Sequence, residues 1–274
     1  MSEKHFHRYF SLLAIATLCQ SIVFSIFLSE TRSQPEPQNK IPTQTVGGGS
    51  RGLFQPPEGE PEPTVSIGGG RRSSDGKCPK DRDIKPTDSK SPDSLDQQLT
   101  PLLPTKKFGL TYSSNPQFYA YIPKTSAIAV VYTLENQEGK GIEQKRIDLT
   151  NTPSIVGVQF SERLEIGKDY KWLVSVVCVA DDPEDTFSEG IVRRIKPNPA
   201  LIGKLENAKD IELVELYAKS GIWYEALDGL AKLRLTKPKD PELTSIWLNL
   251  LKSSSLETLA NTPIKMYRED NELL

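Results

Sequence analysis

The chain has 274 residues, and its 34 Lys+Arg against 36 Asp+Glu leave a formal charge of -2, which offers no electrostatic basis for binding nucleic acid or a strongly anionic surface. Its two histidines, His5 and His7, precede the first apolar run, so the rest of the chain has no imidazole for a Ser-His or Cys-His nucleophilic site or for a His-ligated zinc or iron centre. Three cysteines, Cys19, Cys78 and Cys178, are too few and too scattered for a thiolate metal cage or a disulfide framework.

Residues 9–28, YFSLLAIATLCQSIVFSIFL, carry no charge, and Lys4 and Arg8 stand just before them, which is the pattern of an export signal. The run is near the ~20 residues that a helix needs to cross a bilayer, so residues 1–30 read as a signal sequence or as a retained membrane anchor. Ser29 and Thr31 are poor sites for a signal peptidase, which leaves cleavage open. A lipoprotein site at Cys19 is disfavoured because Leu18 stands where a small residue is required. Both surviving readings put everything after residue 30 outside the cytoplasm, in the periplasm or cell envelope, with membrane contact only through the leader if it is uncleaved. There, only Cys78 and Cys178 could pair; the simpler expectation is a free linker thiol at Cys78 and a small buried apolar residue at Cys178.

Residues 31–99 are rich in Pro, Gly, Ser, Gln and charges of both signs, with scarcely an aromatic beyond Phe54. Such a stretch cannot bury enough apolar surface to offset its own ordering entropy, and a disordered linker is expected. Two glycine-arginine patches, Gly47 to Arg51 and Gly68 to Arg72, read as flexible spacer, because Glu58, Glu60, Glu62, Asp75, Asp81 and Asp83 neutralise them.

From 100 to 197 the period changes to two, and seven strands are predicted: Phe108 to Tyr112, Gln117 to Ile122, Ala127 to Glu135, Ile142 to Leu149, Ser154 to Phe160, Tyr170 to Ala180 and Phe187 to Ile195. Ile128, Val130, Tyr132 and Leu134 fall on one face of the third, and Tyr170, Trp172, Val174, Val176 and Cys178 on one face of the sixth; these faces are the expected core. Leu164, Gly167 and Tyr170 resemble the tyrosine corner of fibronectin type III and immunoglobulin-like sandwiches, which implies that the Tyr170 hydroxyl bonds back to the upstream backbone. The acidic run Asp181, Asp182, Glu184 and Asp185 is interrupted by Pro183 and lacks the spacing of a calcium loop, so it reads as a solvated turn.

Residues 198–262 shift to a period of 3.6, followed by a tail at 263–274. Leu213, Tyr217, Gly221, Trp223, Ala226, Leu230 and Pro238 resemble the signature spacing of a tetratricopeptide repeat, and a partial second unit follows with Ser255 where glycine is usual. One and a half repeats cannot stand alone, so the hairpins are expected to dock on the strands, with Leu201, Leu205, Leu213 and Leu216 covering the shared surface. The aromatic stripe Tyr217, Trp223, Tyr224 and Trp247 is either a partner-binding peptide groove or the packing between hairpins.

The expected fold is therefore α+β with separate all-β and all-α parts, an immunoglobulin/fibronectin-like seven-stranded sandwich followed by tetratricopeptide-like hairpins. The runs Leu99 to Pro104, Gly109 to Thr111, Asn115-Pro116 with Phe118, Tyr121 to Pro123, Gly167 to Trp172 and Gly221 to Leu227 together resemble a family known mainly from cyanobacteria and catalogued as domain of unknown function 928. The resemblance spans the globular part, implies an envelope setting, and brings no catalytic or binding residues with it. The Val179-Ala180 pair departs from it, since relatives are shorter there. The expectation is an exported protein without catalytic residues, cofactor or metal, acting on an unidentified envelope protein or peptide. The alternative is a carbohydrate- or peptidoglycan-binding module that stacks sugars on Tyr112, Tyr119 or Tyr121 if those rings form an exposed row.

Overall fold

A computed structural model describes residues 53–57, 59–66, 78–81, 95–179 and 186–267. The leader, both glycine-arginine patches, the acidic run at 181–185 and the last seven residues of the tail lie outside them. All described residues belong to the unit Gly48–Leu274, and among them no helix is long and apolar enough to cross a membrane.

Among the described residues nine strands form: β1 (Thr100–Pro101), β2 (Phe108–Thr111), β3 (Gln117–Ile122), β4 (Ala129–Glu135), β5 (Gly141–Asp148), β6 (Ser154–Gln159), β7 (Asp169–Val177), β8 (Thr186–Arg194) and β9 (Ile264–Met266). Strands β2 to β8 coincide with the seven expected segments, and β1 and β9 are additions. They build two mixed sheets, a four-stranded one in the order β1-β3-β6-β9 and a five-stranded one in the order β2-β8-β7-β4-β5. The β2–β8 and β6–β9 pairs are parallel and the others antiparallel. With four helices, the fold is α+β.

The alternation that marks the strands also selects the core. Val130, Tyr132 and Leu134 of β4 and Trp172 and Val174 of β7 are wholly buried. Ile128, expected on the same face, precedes β4 and is 42% exposed. Contacts between the sheets run through aromatic rings: Phe118 of β3 lies 5.2 Å from Trp172 of β7, and the Tyr132 hydroxyl donates to the carbonyl of Val156 in β6 at 2.8 Å. The Tyr170 hydroxyl accepts from the backbone N–H of Glu165 at 3.2 Å, and Gly167 supplies the left-handed residue between them, at a φ of 80°.

The helices are α1 (Pro199–Asn207), α2 (Asp210–Lys219), α3 (Trp223–Thr236) and α4 (Pro241–Lys252). Helices α1 and α4 start where Asn198 and Asp240 accept from the first free N–H groups and a proline takes the first position. The turn between α2 and α3 passes through Gly221 at a φ of 74°. Ser255, standing where glycine is usual, is also left-handed at a φ of 59°, and only a single turn, Glu257–Leu259, follows it.

Three expectations need correction. The helices do not dock through Leu201, Leu205, Leu213 and Leu216, which are half-buried; α1 buries no residue at all. Docking falls to α3, because its inward stripe Trp223, Tyr224, Leu227 and Leu230 is larger and more apolar. Gly109 of β2 leaves the room this needs, since a Cβ there would lie 2.8 Å from the Tyr224 ring. Trp223 then donates to the Leu102 carbonyl at 2.8 Å, Trp172 donates to the Tyr224 hydroxyl at 2.9 Å, and the Tyr119 hydroxyl donates to Asp228 at 2.8 Å. Second, the start of the tail is not free: Ile264 pairs with Ile155, making β9 an edge strand.

Third, the stretch 31–99 is not spacer throughout. Phe54 is buried against Trp223, Cys78 is disulfide-bonded to Cys178 across 100 residues, and buried Asp81 accepts from the N–H of Ser126 at 2.6 Å. The composition argument holds for a segment that must bury its own core; a few anchors that use a neighbour's core escape it.

Candidate functional site

Residues 53–57 and 59–66 lie across the junction between strands and helices as a strap. At its helical end the Phe54 ring stands edge-on to Trp223, with centroids 4.9 Å apart, and the N–H of Gln55 donates to the Ala218 carbonyl at the end of α2 at 3.0 Å. Pro57 rests on Gly221, where any side chain would collide: an added Cβ would lie 2.8 Å from the proline ring. Gly221 is thus required twice, by the turn and by the strap.

The other end is held by charge. Asp169 of β7 and Arg193 of β8 face each other in register, and Arg193 donates to both carboxylate oxygens, Nε at 2.6 Å and Nη2 at 2.9 Å. The same guanidinium donates to two main-chain carbonyls of the strap, Pro61 at 2.9 Å and Glu62 at 3.4 Å. Thr64 closes the clamp, its N–H and hydroxyl donating to Asp169 at 2.6 Å and 2.7 Å. Burial alone would raise the Asp169 pKa; the hydrogen bonds from Arg193 and Thr64 and the Arg193 charge outweigh it and hold the carboxyl below the ordinary aspartate range. The guanidinium also sits 5.1 Å from the Phe108 ring centroid. At the rim, Lys106 pairs with Glu62 at 3.0 Å.

Beneath the strap lies a cavity of about 430 Å³, walled by Phe54, Pro57 and Pro61 on one side and by Phe108 and Leu110 of β2 on the other. A second, more open cavity of about 260 Å³ lies between α2 and α3 beside Tyr217, Lys232 and Glu225. Glu225 Oε1 accepts from the Thr111 hydroxyl at 2.7 Å and from the N–H groups of Tyr112 and Ser113 at 2.8 Å each, tying the end of β2 to α3. Its Oε2 is buried without a partner. Burial pushes this carboxyl above the ordinary glutamate range, against the pull of those hydrogen bonds. Among the described residues no three His, Cys, Asp or Glu gather where they could hold a metal ion.

The aromatic stripe does not form an exposed partner-binding groove. Trp223, Tyr224 and Trp247 are buried, and Tyr217 is half-buried with its ring 6.3 Å from that of Tyr112. Trp223 and Tyr224 bond to the strand side of the junction, at the Leu102 carbonyl and the Trp172 indole, Trp223 also meets Phe54 of the strap, and Trp247 lies under the Arg234 guanidinium of α3. Tyr119 and Tyr121 are likewise buried and Tyr112 half-buried, so these three rings form no exposed row for stacking sugars. Sequence reasoning passes over Arg193, Asp169 and Thr64: Asp169 and Arg193 are separated by 24 positions and Thr64 and Asp169 by 105, so their meeting leaves no local trace. Phe54, an isolated aromatic in a polar stretch, is the one available signal.

Residues 67–264 match the family described as Domain of Unknown Function (DUF928). No curated protein matches the chain.

Proposed function

The chain belongs to that family, whose description assigns no activity, and we propose that it is an exported, non-catalytic module of the cell envelope that binds an extended peptide segment of a protein partner. The observation that carries this is the strap: the groove between β2, β8 and the α2–α3 turn already holds one peptide, the chain's own residues 53–57 and 59–64, largely through main-chain atoms and the Phe54 ring, with side-chain contacts at Glu60, Glu62 and Thr64. Arg193 and Ala218 read carbonyl and N–H groups common to every sequence, so an extended, proline-containing segment of another protein meets the same contacts. The Cys78–Cys178 bridge supports export, since such bonds persist in oxidising compartments.

The finer architecture fits a recognition module. The strand order with the Tyr170 corner bond supports a variant of the immunoglobulin-like sandwich. The left-handed Gly221 and the small buried Ala226 support a tetratricopeptide-like hairpin in α2 and α3. The test is exchange of the strap. With a protease site placed within residues 67–77 of the otherwise intact chain, the cut amino-terminal piece is held to the rest without a covalent bond. A labelled peptide of residues 53–66 should then replace it in a saturable manner, and the same peptide with Phe54→Ala should bind about tenfold more weakly or worse. Absence of saturable binding by the intact peptide would sink the reading.

A further inference from the structure

The cavity beneath the strap has walls of a definite chemistry. Its floor is Phe108 and Leu110, and its roof carries the rings of Phe54, Pro57 and Pro61. Prolines have no N–H, so the roof presents few donors to the space it covers. The charged groups at the edge are already matched: Lys106 to Glu62 at 3.0 Å, and Arg193 to Glu60 at 3.7 Å as well as to Asp169. Among the described residues, Ser154, Glu225, Trp247 and Ser254 carry buried polar side-chain atoms without a hydrogen-bond partner, and none of these residues lines this cavity.

A volume of about 430 Å³ falls within the range of small-molecule sites. Glu60, Glu62, Thr105, Lys106 and Ser253 also line the space, but over the part walled by Phe, Pro and Leu a water molecule finds few of the two to four polar partners it needs. A charged guest would lose hydration and find no unmatched opposite charge. We propose that this cavity is a binding site for an uncharged, predominantly apolar molecule, either a compact aromatic or a hydrocarbon chain.

A guest there touches the strap above and β2 below, so its binding free energy is lost if the strap leaves. Ligand and strap therefore stabilise each other, and the guest opposes strap exchange by the same factor that strap closure favours the guest. The site stands on the composition of its walls and not on the peptide reading, so either can fail alone.

The test uses the full chain with the neutral fluorophore N-phenyl-1-naphthylamine. Saturable enhancement is expected. Competition with dodecanol and with naphthalene then separates the two sources: displacement by dodecanol identifies a hydrocarbon-chain site, and displacement by naphthalene alone a compact aromatic one. Thr105 is exposed at the cavity wall, so Thr105→Trp should fill the space and weaken the probe about tenfold or more at an unchanged melting temperature. Pro61→Gly, which loosens the roof, should speed probe release. Absence of saturable enhancement overturns the proposal, and so does enhancement left intact in both variants.

Discussion

Replacing Arg193 with methionine removes four hydrogen bonds at once, two to Asp169 and two to strap carbonyls. The side chains of Arg193 and Asp169 are 6% and 1% exposed, so the variant leaves a carboxylate in a buried site with only the Thr64 donors. Breaking a buried pair by removing one partner costs about 3–5 kcal/mol. At roughly 2–4 °C per kcal/mol for a unit of this size, the melting temperature should fall by about 6–20 °C. The pH dependence makes the test specific. In the native protein the Asp169 pKa is lowered, so its stabilisation is present above the unfolded value of about 3.9 and is lost as pH falls through the lower folded value. In Arg193→Met, burial acts with no cation to oppose it, the pKa rises, and protonation relieves the cost. The deficit should therefore be largest near pH 7 and narrow toward about pH 4. Thermal unfolding followed by circular dichroism across that range decides it. A loss under about 2 °C, or a deficit independent of pH, refutes the clamp.

Tyr170→Phe deletes the hydroxyl that accepts from Glu165 and should cost about 1 kcal/mol in chemical denaturation; an unchanged midpoint would argue against the corner bond. Glu225 has a raised pKa, so the native state holds its proton more tightly than the unfolded chain does, and its contribution to stability declines as pH rises from the unfolded value toward the folded one. Glu225→Gln should flatten that part of the stability curve, and a curve parallel to the native one would contradict the assignment. Cys78→Ser opens a loop of 100 residues, which in the chain-entropy estimate costs about 4–5 kcal/mol. Dithiothreitol should lower the melting temperature of the native protein and leave that of Cys78→Ser unchanged, whereas equal behaviour of the two would count against the bridge.

What the chain announces by itself is local. Strands β2 to β8 are legible because apolar residues alternate between turn residues, and the α2–α3 hairpin because Gly221 and the stripe from Tyr217 to Leu230 keep a helical period. The resemblance on Gly167 to Trp172 and Gly221 to Leu227 is local too. Each such signal spans a few residues, and backbone geometry converts it directly into a strand, a turn or a helix.

Only the tertiary structure decides which surface covers which. It buries Trp223 and Tyr224 under the strands, joins Cys78 to Cys178, pairs Ile264 with Ile155 and lays the residues around Phe54 over β2. None of these can be read from a window of sequence, because a contact between distant residues depends on loop closure and on competition among many apolar faces for the same cover. A proline-rich segment that looks unable to fold becomes ordered when a neighbour provides a pocket for its one aromatic ring and a guanidinium for its carbonyls. The free energy that orders it resides in residues more than a hundred positions away.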